Sequence, residues 1–479
     1  MMKPKKIPYF YNKEPIEFIV KFEKGISGKL ISRSSYINGL ENVDLKLKNE
    51  RDEFELDFKT IIKKTKKPIN WRDKTFNHVT FQTLKFDIIF DKLYSWDWFT
   101  GFSNAFHSKG FNDSKKYFKF IIPLKRKINF HFQLEEFLFS SDYSKWSRVA
   151  TSISCDDENI YALQEGVKVK DKKKDYLIIE SDKKQLYSEF ADKVFAFRVA
   201  LGYIIGDFRG GRAYMFSYNN KKRDRFDGFS FRTLRKDMKS LYQPINSNPY
   251  AWLHSRGRKQ AKKIYKERNL RTLNKLEFST LVELTLKNDN FLGTLLTMIE
   301  AGNLSLLISP AIYFIVLEQF SNIIVKEKPI IPISDANDAE YLKNEILGIV
   351  KKFEEEKIQK NYLLNPIIKR IENINQETNN DKLISCFKKL NIELSKEDLK
   401  IIKARNRLLH GNIPNYRKKR NRTIRDKDSD LYYTSIRIYT LLNMLILKYI
   451  GYNNYVINFS KIYEQNTGYS VDEEFYRKV

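Results

Sequence analysis

The sequence predicts an α+β chain of more than one domain, with a β-rich amino-terminal half followed by an all-α helical bundle. Three observations predict it. At 479 residues the chain exceeds what a single hydrophobic core usually serves, so roughly two or three domains are expected. Up to about residue 235, short aromatic and β-branched runs alternate with polar residues at period two. From about 273 to 450 the apolar residues recur at helical spacing instead.

In the amino-terminal half, FIVKF (18–22), FELDF (54–58), HVTFQTLKFDIIF (78–90), YFKFIIPL (117–124) and INFHFQLEEFLF (128–139) have the composition of strands. One helix is expected over 183–205, where Leu186, Phe190, Val194, Phe197 and Leu201 share a face. FRGGRAY (208–214) is a glycine turn, since it lacks both the Walker lysine and the G-x-G-x-x-G spacing of phosphate loops. These elements define a β-rich region over 1–235, taken as a sensing or regulatory part only on the resemblance described below, and a basic helical connector follows over 236–274, containing SRGRKQAKK (255–263).

The helical domain is expected over 275–455, with a carboxy-terminal tail over 456–479. Ser309 and Pro310 mark a helix start, the cap and the first helical position. Asp338 is the expected cap of the next helix, 338–357, and shorter helices follow near 361–373 and 381–390. Ser395 with Asp398 has the spacing of a capping box, and it starts the helix that carries ARNRLLHGN (404–412). After a basic loop, a long helix over 431–450 closes an antiparallel bundle.

Composition narrows the function. A hydrophobic content of 42% and an aromatic content of 14% exclude a disordered chain. The net charge of +28 favours a polyanionic partner, nucleic acid or an anionic surface. A lysine-rich bias of coding composition gives the same global charge, so only clusters containing arginine are informative. Cys155 and Cys386 have no metal-ligand or disulfide spacing, which suits a reducing, cytoplasmic compartment. The first residues, MMKPKKIPYFYNKEP, lack the apolar core of a signal peptide. The most apolar stretch, 301–320, is interrupted by Gly302, Asn303 and Pro310, so a buried helix is expected rather than a membrane span. No cofactor and no metal is called for.

On a helical wheel at about 100° per residue, Leu399, Ile402 and Leu409 share a stripe with Asn406, and Arg405 and His410 fall at its margins. A buried asparagine needs hydrogen-bond partners, which a second copy related by two-fold symmetry supplies. Such a copy also brings two arginines and two histidines into one cleft. That set suits metal-independent RNA cleavage. Histidine removes the proton of the attacking 2′-hydroxyl or protonates the leaving 5′-oxygen, and arginine stabilises the extra charge on phosphorus. The products are a 2′,3′-cyclic phosphate and a 5′-hydroxyl.

RNRLLH (405–410), followed by Gly411 and Asn412, resembles the R-x4-H motif of the HEPN superfamily. The resemblance covers the helical region of about 275–455 in size and helix order. It implies an α-helical bundle that dimerises into a composite ribonuclease site, with Arg405, Asn406 and His410 as the catalytic set. The layout, with GKLIS (28–32) and ALGYIIGDF (200–208), is similar to ApeA-type abortive-infection proteins. That similarity implies an anti-phage effector with a phage-derived trigger at the amino-terminal half. RNA, with tRNA among the candidates, is the expected substrate. Arg407, Tyr416, Arg417, Lys418, Lys419, Arg420 and Arg422 are the expected RNA-binding residues, the cations gripping phosphates and the tyrosine stacking on a base. The same residues also admit plainer readings. His410 before Gly411 is a common helix ending, and the chain then becomes a non-catalytic nucleic-acid-binding or oligomerisation protein of a defence or toxin–antitoxin system.

Overall fold

The computed structural model describes residues 14–31, 44–50, 53–57, 73–95, 100–125, 150–169, 172–239, 243–245, 263–264, 266–305, 308–325, 331–357, 360, 362–376 and 379–479. The run 128–139 and nearly all of the basic run 255–263 lie outside them. The chain divides into two units, Met1–Asn303 and Leu304–Val479.

The first unit begins with helix α1 (Glu14–Glu23), with Ile16, Ile19 and Phe22 buried, acidic residues in its first turn and Lys21 in its last. FIVKF, expected as a strand, therefore lies on a helix. Burial of one helical face outweighs the β propensity of its phenylalanine, isoleucine and valine. Strands β1 (Ile26–Ile31), β2 (Asp44–Glu50), β3 (Glu53–Asp57), β4 (Lys74–Gln82), β5 (Asp87–Ser95) and β6 (Thr100–Ser103) follow. They are ordered β4-β1-β2-β3-β6-β5, and an additional β4–β5 pairing closes them into an antiparallel barrel. Leu30, Leu47, Phe54, Leu56, Phe81 and Phe90 form its core together with the buried face of α1. Phe22 and Phe54 meet with ring centroids 4.9 Å apart.

One end of β5 pairs with β6, whereas its other end pairs with β7 (Ala105–Ser108), so β5 belongs to the barrel and to an open sheet. That sheet continues β7-β14-β13-β8-β11-β10-β9. Its strands are β8 (Tyr117–Leu124), β9 (Ala150–Cys155), β10 (Glu158–Val169), β11 (Lys172–Ser181), β13 (Arg212–Tyr218) and β14 (Gly228–Thr233). Helix α2 (Tyr187–Ile205) confirms the helix expected over 183–205, less its first residues. Between it and β13, β12 (Asp207–Phe208) pairs with β15 (Met238–Lys239). The intervening FRGGR is a turn. A Cβ on Gly210 would lie 1.4 Å from the Arg235 carbonyl oxygen, and Gly211 has φ +73°. Helices α3 (Lys275–Lys287) and α4 (Asp289–Ala301) belong to this unit, with Phe278 of α3 5.6 Å from Phe197 of α2. The helical pattern at 275 marks helices; it does not say which core they face.

The second unit contains α5 (Ser309–Val325), α6 (Ala336–Glu356), α7 (Asn365–Glu372), α8 (Asn379–Lys389), α9 (Lys396–Lys403), α10 (Arg405–Leu409) and α11 (Ile424–Tyr449). It ends with β16 (Tyr455–Ile457), α12 (Phe459–Ile462), α13 (Glu464–Thr467) and β17 (Tyr476–Lys478). The expected tail therefore supplies an antiparallel β16–β17 ribbon, so this unit is helical but not all-α. Helix α6 is capped by Asp335, not Asp338; the Asp335 carboxylate accepts the N–H groups of Asn337 and Asp338 at 2.7 and 3.2 Å. Helix α11 starts at a Thr423–Asp426 capping box, so the basic stretch 415–430, expected as a loop, ends in the first turns of a helix. Cys155 and Cys386 are buried free thiols. No helix among the described residues is long and apolar enough to cross a membrane.

Candidate functional site

The site is set up by the start of α9. Ser395 accepts the Asp398 N–H at 3.2 Å, and the Ser395 N–H donates to the Asp398 carboxylate at 2.8 Å, which completes the expected capping box. Asp398 also accepts from Arg437 Nε of α11 at 2.8 Å and from Arg477 of β17 at 2.7 and 3.0 Å. Arg437 in turn donates to Ser395 Oγ at 2.8 Å and to Glu473. The Asp398 and Arg437 side chains have 0% exposure. Burial would raise the Asp398 carboxyl, but the Arg477 and Arg437 guanidiniums overcome it and hold it down at about 2. One carboxylate thus ties the motif-bearing helix to α11 and to the carboxy-terminal ribbon.

The motif helix is broken at Ala404, whose N–H is shared between the carbonyls of Lys400 and Ile401, and a new short helix, α10, begins at Arg405. The break spoils the expected wheel. Ile401, Ile402 and Leu408 are buried, while Leu399 and Leu409 are half-buried and Asn406 is exposed. Asn406 is therefore not a core asparagine. The far end is a Schellman closure: Gly411 has φ +79° and donates to the Leu408 carbonyl at 3.0 Å, and Asn412 donates to that of Arg407 at 2.8 Å.

Arg405 is enclosed, its side chain 11% exposed. One Nη donates to Asn406 Oδ1 at 2.6 Å and the other to Glu318 of α5. Its Nε is buried without a hydrogen-bond partner among the described residues. Glu318 is not among the site residues expected from the sequence. The signal was present, because Glu318 is the one charged residue on α5. His410 is exposed at the C-cap, and its imidazole makes no hydrogen bond among the described residues. The structure thus joins Arg405 to Asn406 and adds Glu318, with His410 at the exposed end of the same short helix.

The basic segment after the motif splits into committed and free cations. Tyr416 is half-buried; its hydroxyl lies 2.9 Å from Thr434 Oγ1, its ring is 6.0 Å from that of Tyr433, and burial raises its pKa. It is thus engaged in packing rather than presented for stacking. Arg417 lies 4.0 Å from the ring centroid of Tyr469 and donates to the Thr467 carbonyl at 2.9 Å. Lys419 pairs with Asp426 at 2.7 Å, and Arg422 pairs with Asp430 and the Pro414 carbonyl. Arg407, Lys418 and Arg420 are exposed and have no side-chain partner among the described residues. Lys403, Arg425 and Lys427 share that state, so the stretch 403–427 carries a row of uncommitted positive charge.

In the first unit, a cleft of about 1130 Å³ is lined by Phe18, Phe86, Phe226 and Phe229, with Glu17, Lys21, Lys85 and Arg225 also lining it. Compared with protein-family models, with curated proteins and with solved structures, the chain matches none.

Proposed function

We propose that the second unit is a metal-independent endoribonuclease of the HEPN type, cutting RNA at a site completed by a second copy of the chain. The observation that supports it best is the exposure of Asn406 and His410 at a closed helix end, beside an arginine fixed by Glu318. An exposed asparagine and an exposed histidine on a precisely terminated helix have no packing role there. They are available to a substrate. With two copies, one His410 takes the proton of the 2′-hydroxyl and the other protonates the 5′-oxygen. Arg405 orients Asn406 and contributes positive charge toward the phosphorane. Arg407, Lys418 and Arg420 hold neighbouring phosphates. On this reading the amino-terminal unit senses a trigger, and its aromatic cleft is where a ligand would enter; the role in phage defence follows from the family resemblance.

A second reading, RNA binding without cleavage, is favoured by the commitment of the enclosed Arg405 guanidinium to Glu318 and Asn406, which suits a bracing role. The test is cleavage of total RNA and tRNA in EDTA by the wild type and by His410→Ala, with product ends mapped. Wild-type-only cleavage leaving cyclic phosphates supports the enzyme. Equal cutting by a folded His410→Ala protein refutes it, and intact RNA with salt-dependent binding selects the second reading.

A further inference from the structure

Helix α6 is the least covered long helix of the second unit. Of its 21 residues only Ala339 is buried. It packs on α7, and Phe353 near its end stacks on Tyr362 with centroids 5.9 Å apart. Lys343, Leu347 and Val350 are partly covered. The adjacent strip is open: Leu342 is 39%, Ile349 66% and Phe353 43% exposed, and Ile346 lies between them, half-buried. An apolar strip of this kind on an otherwise charged helix marks a contact surface.

The strip reads the same in both directions. Leu342, Ile346, Ile349 and Phe353 are spaced by four, three and four residues, so its midpoint falls between Leu347 and Gly348. Those intervals keep all four on one narrow face of a helix. Turned end for end, the helix sets Leu342 of one copy against Phe353 of the other, and Ile346 against Ile349. The border of the strip is self-complementary as well. Glu345 and Lys352 are both exposed and lie on the same flank, and neither makes a side-chain ion pair among the described residues. In the antiparallel arrangement Glu345 of each copy faces Lys352 of the other, and two-fold symmetry makes the pair twice.

We infer that α6 is a homotypic docking surface, whose occupant is the α6 helix of a second copy packed antiparallel about the 347–348 midpoint. A surface of about three helical turns belongs with weak, concentration-dependent interfaces. This inference does not depend on the ribonuclease reading, because it is measured by mass and not by cleavage.

The test is sedimentation equilibrium of the full chain over a range of concentrations. The wild type is expected to dimerise, and Ile349→Glu to raise the dissociation constant about tenfold or more, since it places a charge in the seam. Glu345→Lys, which sets two lysines together twice, is expected to weaken the dimer several-fold, and Glu345→Lys with Lys352→Glu to restore it. The substituted positions are exposed, so circular dichroism of all variants should match the wild type. A monomeric wild type, or a dimer indifferent to Ile349→Glu, overturns the inference. So does a double variant no tighter than Glu345→Lys, because the occupant is then something other than a second α6. A dimer that ignores every α6 change leaves the His410 experiment untouched.

Discussion

Replacing Asp398 with asparagine keeps the shape of the side chain and removes the charge that holds Arg437 and Arg477. Both partners of the Asp398–Arg437 pair have 0% side-chain exposure, and the pair is met by Arg477 and Ser395 within 3.0 Å. Removing one member of a buried pair typically costs about 3–5 kcal/mol, because the remaining charge is left uncompensated. Proton linkage gives a second route to the magnitude. The carboxyl falls from 3.8 to about 2, which at about 1.4 kcal/mol per pH unit is about 2–3 kcal/mol. A cost of about 2–5 kcal/mol is therefore expected. The sign follows: a depressed folded-state pKa contributes stability that is complete above pH 3.8 and is lost as pH falls through about 2. Urea titration of Asp398→Asn should shift the far-ultraviolet dichroism and the hydrogen exchange of 395–479, while exchange in strands β8, β11 and β13 of the first unit stays in place. A loss below about 1 kcal/mol would show that the carboxylate is not the clasp of this unit.

Four further outcomes follow from the same geometry. Glu318→Gln should cost about 1–2 kcal/mol of thermal stability, as a charge-assisted bond to an enclosed arginine is weakened, and should slow cleavage; an unchanged melting temperature would mean that this pair does not brace α10. Arg407→Ala, Lys418→Ala and Arg420→Ala should each lower the salt dependence of single-stranded RNA binding by about 0.7 in the log–log slope. Arg422→Ala should leave that slope alone and instead destabilise the fold by about 1–3 kcal/mol, since it strips a partner from buried Asp430. Gly411→Ala should cost about 1 kcal/mol in a thermal melt, because φ +79° disfavours any side chain even where space is open.

Local signals were legible and long-range ones were not. The Ser395–Asp398 box and the Gly411 stop depend on backbone groups within a few residues, and both appear as expected. The 187–205 helix was legible from periodicity, since its pattern runs for several turns. FIVKF was not, because a run of five residues, four of them apolar, fits a strand or a helix face equally well. Asn406 was misplaced because the break at Ala404 carries no proline or glycine to announce it. The other roles of Asp398 rest on arginines 39 and 79 residues away, and no spacing rule reaches so far. Likewise, nothing local distinguishes Arg417, bound to Tyr469, from Arg420, which is exposed.

The sharing of β5 between two sheets restricts how this chain can tolerate insertion. Along one edge β5 is paired with β4, and along the other with β6 at Tyr94–Ser95 and with β7 at Ile88–Ile89. Side chains on a strand alternate faces, so one added residue inverts every position beyond it. Within β5 such an addition would turn apolar residues outward in the barrel and in the open sheet together, leaving neither able to compensate for the other. The same addition in the 83–86 turn would lengthen a loop and leave both registers intact. A scan of single-residue insertions should therefore find the turn permissive and the adjoining strand closed to them, a boundary only a residue or two wide.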